Sequence, residues 1–117
     1  MLKKTLVAAS AGLLFVVGCG GGGGGKTSKA CEAEIACEGG NDNDIAACEE
    51  RWEFRKEEAK VYNCSDQYEA YRDCYTTNAA CEGTPPTGDF HTNLTGTEPC
   101  KPVKDNLDDC IDANSLQ

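Results

Sequence analysis

Cysteine content constrains the fold of this chain more than any other feature of its sequence. The 117 residues include nine cysteines, and eight of them lie after position 30. They are Cys31, Cys37, Cys48, Cys64, Cys74, Cys81, Cys100 and Cys110. Core material is scarce in the same region, which holds eight Ile, Leu or Val and seven aromatic residues. Because a chain this small buries a modest fraction of its surface, we expect its cysteines to cross-link it.

The N-terminus has the parts of an export signal. Lys3 and Lys4 precede an apolar run from Leu6 to Val17. This arrangement is typical of a cleaved signal peptide. The run is too short for a transmembrane helix, which needs about 20 residues to cross a bilayer core roughly 30 Å thick. Export places the cysteines in an oxidising compartment, where disulfides persist, and each adds about 2–4 kcal/mol of stability.

Val16-Val17-Gly18-Cys19 resembles the lipobox of bacterial lipoproteins. The resemblance implies a diacylglycerol on the Cys19 sulfur, cleavage before Cys19, and an acyl chain such as palmitate on the new amine. Gly20 then implies sorting to the outer membrane of a Gram-negative bacterium, facing the periplasm or the surface. The alternative is a plain secretory signal with Cys19 in a disulfide. Lipidation leaves an even number of cysteines, which suits an exported protein.

The chain divides into three segments. Residues 1–18 are predicted to be the lipoprotein signal peptide, residues 19–29 the lipidated cysteine and a flexible glycine-rich tether, and residues 30–114 a disulfide-stapled domain. Gly25-Lys26-Thr27 matches the end of a phosphate-binding loop, but no strand precedes it, so we expect no nucleotide binding. Loss of Lys3 and Lys4 changes the formal net charge from −9 to −11. Such a polyanion repels nucleic acid.

Helix formers dominate the predicted domain, which favours an all-α fold of about four short helices in hairpins. The first three helices are predicted at about 28–38, 44–63 and 66–79, and the fourth begins near Pro102. Ser28 is the expected cap of the first helix, and Gly39-Gly40 its stop. Asn43 or Asp44 is expected to cap the second helix. Asp66 and Glu69 have the spacing of a capping box for the third.

Aromatic residues mark the expected core. Trp52 lies on an apolar stripe of the second helix, and we expect it at the centre of the core. Ligand stacking is the alternative role for this side chain. Three tyrosines at helical spacing, Tyr68, Tyr71 and Tyr75, predict the rim of the core.

Residues 82–99 predict a long irregular loop, because their Gly, Pro and Thr content suits neither helix nor strand. Loops of this length in compact domains are usually functional or mobile. The loop carries Phe90, His91 and Leu94, which we predict to be the contact with a partner, such as an envelope or extracellular protein.

Two cysteine pairs share the same spacing. Nine residues separate Cys64 from Cys74, and nine separate Cys100 from Cys110. If these helices pack antiparallel, Cys64 lies opposite Cys110 and Cys74 opposite Cys100. The pattern resembles the twin Cys-x9-Cys hairpins of the coiled-coil–helix–coiled-coil–helix family. Cys31, Cys37, Cys48 and Cys81 remain for two more bonds, with Cys37–Cys48 as one candidate. Eight cysteines together allow on the order of 100 pairings.

Catalytic and cofactor motifs are missing from the sequence. His91 is the only histidine, and neither a Cys-x-x-Cys redox pair nor a zinc pattern of two close cysteine pairs occurs. We therefore expect no enzyme, no cofactor and no metal. The predicted function is a membrane-anchored, non-enzymatic structural or interaction module of the cell envelope, held to the membrane by its lipid. The alternative is a metal-binding or thiol-redox envelope protein.

Overall fold

Four helices and one pair of short strands make up the described part of the chain, residues 25–94 and 96–116 of the computed structural model. The helices are α1 (Lys26–Glu38), α2 (Asp42–Val61), α3 (Ser65–Asn78) and α4 (Lys101–Ser115). Strands β1 (Ala80–Glu82) and β2 (Asp89–His91) lie between α3 and α4. The fold is a small disulfide-rich all-α domain, as predicted. Cys19, the predicted signal peptide and the tether up to residue 24 lie outside the described residues.

Helix α1 ends where the sequence predicts but begins earlier. Gly39 has a φ of 92°, a left-handed conformation that favours glycine, and its N–H donates to the Ile35 carbonyl at 2.8 Å. The helix starts directly after Gly25, so Ser28 lies inside the first turn. The prediction that Ser28 caps α1 is therefore wrong. Its hydroxyl instead donates to the Glu49 carboxylate on α2.

Helix α2 begins at a capping box two or three residues upstream of the predicted cap. The Asn41 side chain accepts from the Asn43 N–H at 2.8 Å, and the Asp44 carboxylate accepts from the Asn41 N–H at 2.9 Å. Asn41 is therefore the cap, and the prediction of Asn43 or Asp44 is wrong by two or three residues. The reciprocal bonds satisfy two N–H groups that the helix itself leaves without partners.

Helices α3 and α4 each begin immediately after a cysteine. Cys64 occupies the cap position of α3, and Cys100 that of α4. Asp66 lies inside the first turn of α3, which has no side-chain cap, so the predicted capping box is wrong. Pro102 lies in the first turn of α4, as predicted, where a missing N–H costs no hydrogen bond.

The core lies where α2, α3 and α4 meet. Ala59, Cys64, Tyr68, Leu107 and Ile111 are buried together, and Leu107 and Ala59 have no exposed surface. Trp52 is half-buried and packs against this cluster from outside. The prediction that Trp52 forms the centre is wrong, because small and aliphatic side chains let the three helices approach more closely than an indole ring does.

Four disulfides join these elements. Cys64 bonds to Cys110 and Cys74 to Cys100, the pairing that the twin Cys-x9-Cys resemblance implies. These two bonds fasten α3 and α4 as an antiparallel pair.

The remaining bonds fasten α1 to its neighbours. Cys31 bonds to Cys48 of α2, and Cys37 bonds to Cys81 of β1. The candidate bond between Cys37 and Cys48 is therefore wrong. Six residues of helix turn through about 240° beyond a full rotation, so Cys31 and Cys37 face different neighbours.

A short antiparallel strand pair occupies part of the predicted irregular loop. Cys81 lies opposite Phe90 in the register, and Ala80 lies opposite His91. The prediction that residues 82–99 contain no strand is wrong for β2. Each strand has three residues, too few for a period-two pattern to appear in the sequence, and the Cys37–Cys81 bond ties β1 to α1.

Candidate functional site

The predicted contact residues lie at different places around β2. Phe90 and His91 are half-buried strand residues, whereas Leu94 lies in the following loop with 38% of its surface exposed. The predicted lipidation residue, Cys19, lies outside the described residues. The structure therefore places Phe90 and His91 on a fixed element and not on a free loop.

Phe90 is held from two sides. Its partner across the strand pair is Cys81, which is bonded to Cys37 at the end of α1. The Glu38 carboxylate accepts a hydrogen bond from the Phe90 N–H at 2.9 Å. Both contacts come from α1 or through it, so the end of this helix sets the position of the Phe90 ring.

Four aromatic rings from three elements are in contact, with three of them touching one another and Phe90 joined through Tyr75. The Trp52 ring of α2 lies 5.1 Å from that of Tyr75 and 5.5 Å from that of Tyr71, both on α3. The Tyr75 ring lies 6.2 Å from that of Phe90 on β2. These separations are typical of favourable tilted and edge contacts between aromatic rings. We call Trp52, Tyr71, Tyr75 and Phe90 the aromatic row.

The aromatic row lines a groove with a volume of about 590 Å³. We call this cavity the aromatic groove. Six charged side chains complete its lining: Glu34, Glu38, Arg51, Arg55, Lys104 and Asp108. A volume of this size falls within the range of about 300–1,000 Å³ that is usual for small-ligand sites.

Ion pairs between helices frame the aromatic groove. Arg51 of α2 lies 2.9 Å from the Glu34 carboxylate of α1. On the other side, Arg55 of α2 contacts Asp108 of α4, which also pairs with Lys104 at 2.9 Å. Burial opposes the charged form of Asp108, but hydrogen bonds from Lys104 and Arg55 outweigh it and lower the pKa of this carboxyl. Asp108 therefore remains ionised at neutral pH.

The phenols of the aromatic groove are neutral hydrogen-bonding groups. Burial raises the pKa of Tyr71 above its ordinary value, partly offset by the nearby Lys104 and Arg55. Burial raises the pKa of Tyr75 still further, and the Glu34 carboxylate adds to the effect. Each hydroxyl therefore keeps its proton at physiological pH and is able both to donate and to accept.

His91 is engaged through both ring nitrogens. Its Nε2 lies 3.0 Å from a Glu82 carboxylate oxygen across the strand pair, and its Nδ1 accepts from the Asn93 N–H at 3.1 Å. The ring also lines a cavity of about 300 Å³ beside the aromatic groove, which shares Tyr71, Tyr75 and Phe90 with it. These contacts assign His91 a role in fixing the turn after β2.

The Glu98 carboxylate connects the two ends of the segment after His91. Glu98 accepts hydrogen bonds from the Thr92 hydroxyl and from the Cys100 N–H, the latter at 3.1 Å. The bond from Thr92, and then that from Cys100, lowers the pKa of Glu98. The contact joins the end of β2 to the cysteine that precedes α4, and so it spans the segment that contains Leu94.

Residues 25–94 and 96–116 contain neither a metal-binding cluster nor a membrane-spanning helix. No group of three or more His, Cys, Asp or Glu side chains in this part of the chain is arranged to hold a metal ion. None of the helices described there is long and apolar enough to cross a membrane.

Comparisons with protein-family models, with curated proteins and with solved structures found no match for this chain. The fold and the site therefore rest on the residues themselves.

The sequence indicates the four residues of the aromatic row but not that they line one groove. Trp52, Tyr71, Tyr75 and Phe90 were each visible as aromatic residues of a helix or a loop. Packing of α2 on α3 brings Trp52 to Tyr71 and Tyr75. The Cys37–Cys81 bond fixes β1 and β2 against α1 and so places Phe90 beside them. Equal spacing predicts the bonds of Cys64, Cys74, Cys100 and Cys110 but not those of the other four cysteines, so no sequence signal places Phe90 beside α3.

Proposed function

We propose that this protein is a lipid-anchored module of the bacterial cell envelope that acts by binding and not by catalysis. Acyl chains on Cys19 hold it in the outer membrane, and the glycine run presents the disulfide-stapled domain to the periplasm or the exterior. More than one acyl chain gives a stable anchor, because a single chain binds a membrane reversibly.

Cysteine pairing is the observation that supports this proposal. Eight of the nine cysteines pair with one another inside the described domain. By count, Cys19 is left over, and it is the residue at the modified position of the lipobox resemblance. An unpaired cysteine in an exported protein calls for a separate use, and lipidation is one. The same pairing favours a stapled module over the alternative that handles metals or exchanges thiols.

The aromatic groove supports binding as the activity. It combines aromatic surface with ion pairs whose partners come from different helices and lie along its edges. The groove is broad and open to solvent, and its volume and its mixture of aromatic and polar side chains suit a ligand that stays partly exposed.

Metabolic labelling tests the anchor. The full chain is expressed in a Gram-negative host with an alkyne analogue of palmitate, and the membranes are separated. We expect labelled protein in the outer membrane and an N-terminal peptide that begins with acylated Cys19. Cys19→Ala is expected to abolish the label.

Gly20→Asp is the matched control. It retains Cys19, so the label is expected to persist while the protein moves to the inner membrane. Unlabelled wild-type protein, or equal labelling of the Cys19→Ala variant, contradicts the proposal.

A further inference from the structure

We propose that the aromatic groove binds a short neutral oligosaccharide, through stacking on the aromatic row and hydrogen bonds to the ion pairs that frame it. This inference rests on the proposed function, because it names the ligand class of a binding module. Saccharide binding in the aromatic groove can be measured separately from lipid attachment to Cys19.

The aromatic row matches the shape of a saccharide chain. Its steps measure 5.1 Å from Trp52 to Tyr75 and 6.2 Å from Tyr75 to Phe90. Each step is close to the length of one pyranose unit. The C–H faces of a sugar ring carry partial positive charge, and they stack on the negative face of an aromatic ring. The planes of neighbouring rings are inclined by 55° between Trp52 and Tyr75 and by 64° between Tyr75 and Phe90, so the rings offer a saccharide a curved platform of separate faces and edges and not one flat surface.

The framing ion pairs match the hydroxyl groups of a sugar. A hydroxyl both donates and accepts, so it is best served by a donor and an acceptor side by side. Arg51 and Glu34 provide such a combination at 2.9 Å, and Lys104 with Asp108 provides another at 2.9 Å. The neutral phenols of Tyr71 and Tyr75 add hydroxyl groups that both donate and accept hydrogen bonds.

Charge selects a neutral ligand. Three cationic and three anionic side chains line the aromatic groove, so its formal charges balance. Each of the three cations is paired with a carboxylate of the protein, so an anionic ligand has to compete for it. The chain as a whole carries a formal charge of −9, which repels polyanions at a distance. An uncharged, hydroxyl-rich saccharide is not repelled by the net charge of the protein and does not need to displace a carboxylate from these cations.

Tryptophan fluorescence gives a direct test, because Trp52 is the only tryptophan of the chain and lines the aromatic groove. The full-chain lipoprotein in detergent micelles is titrated with neutral tetrasaccharides of glucose, mannose, galactose and N-acetylglucosamine. A galacturonic acid tetramer, which is anionic, and an uncharged tetrapeptide are titrated in parallel as ligands of other chemical classes. We expect a saturable change with at least one neutral tetrasaccharide and weaker binding of the acidic tetramer and of the peptide.

Variants locate the binding. Phe90→Ala and Tyr75→Ala each remove one ring of the platform, and we expect about three- to tenfold weaker binding from the loss of one stacking contact. Phe90→Leu keeps an apolar side chain in place and is expected to fold while losing the stacking. Phe54→Ala is the matched control, because Phe54 lies on α2 outside the aromatic groove with 71% of its surface exposed.

Any one of three results overturns the inference. The first is no saturable change with any neutral tetrasaccharide, and the second is tighter binding of the acidic tetramer or the peptide. The third is full saccharide affinity in both Phe90 variants and in Tyr75→Ala. In each case an intact lipid label on Cys19 leaves the anchored module standing. Conversely, loss of the label with retained saccharide binding contradicts the anchor and supports this site.

Discussion

Cys64 stands at the start of α3 and Cys110 near the end of α4, and their bonded sulfur atoms bring the two Cα atoms to 6.0 Å. Cys64 is fully buried and belongs to the same core cluster as Ala59 and Leu107. This bond is therefore a cross-link and a part of the core at once. It closes a sequence separation of 46 residues, the longest of the four.

Removal of this bond is predicted to cost more stability than removal of the shortest one. The Cys64→Ala/Cys110→Ala variant is expected to lose about 4 kcal/mol of unfolding free energy, and Cys31→Ala/Cys48→Ala about 3 kcal/mol, because a longer closed loop restricts the unfolded chain more. The separations are 46 and 17 residues. Chemical denaturation followed by Trp52 fluorescence measures both. A larger loss in the second variant contradicts the prediction.

Gly88 is predicted to be required for the Cys37–Cys81 bond. A Cβ at this position would lie 2.6 Å from the Cys81 sulfur and 2.8 Å from the Cys37 sulfur, closer than such atoms approach. We expect Gly88→Ala to lower the fraction of this bond after oxidative refolding and to cost about 1–3 kcal/mol through overpacking. Peptide mapping measures the fraction.

Gly96→Ala is the control for Gly88→Ala. A Cβ at Gly96 meets no atom within 4 Å, although its φ of 80° strains an alanine. We expect all four bonds to form in this variant. An unchanged disulfide map in Gly88→Ala shows that the close approach is not a constraint.

Glu98 is predicted to titrate below its ordinary pKa of 4.5, because it accepts hydrogen bonds from Thr92 and from the Cys100 N–H. A lowered pKa in the folded state means that this contact stabilises the fold fully above pH 4.5. The stabilisation is lost as the pH falls through the lower, folded value. Carbon-13 NMR of the Glu98 carboxyl measures the pKa directly.

Thr92→Val tests the cause of that shift. It retains the shape of the side chain but removes the hydroxyl, so the pKa of Glu98 is expected to rise towards 4.5. Lys101→Gln is a nearby surface change, and we expect the pKa of Glu98 to remain below 4.5 in this variant. An equal pKa in wild type and Thr92→Val shows that the hydroxyl does not stabilise the carboxylate.

Local signals made much of the helical fold predictable. Gly39 ends α1 because it adopts a left-handed conformation, and Pro102 marks the first turn of α4 because it has no N–H. The equal spacing within the pairs Cys64/Cys74 and Cys100/Cys110 gave the register of α3 on α4. Each of these signals acts within a few residues or along one helix.

Tertiary contacts decided what the sequence left open. Ser28 looks like a helix cap, but it hydrogen-bonds to Glu49 across the α1–α2 pair. Strand β2 has three residues and forms through its partner Cys81, which Cys37 holds. The same bond places Phe90 in the aromatic groove. These contacts join residues far apart in the sequence, so no local pattern encodes them.

Disulfide mapping of the protein purified from membranes shows whether the eight cysteines of the domain staple it. We expect four bonds, Cys31–Cys48, Cys37–Cys81, Cys64–Cys110 and Cys74–Cys100, together with a loss of about 8 Da relative to the reduced chain. We also expect acyl chains on the peptide that contains Cys19. Free thiols among the eight cysteines, a retained metal ion or a different pairing contradicts the stapled module.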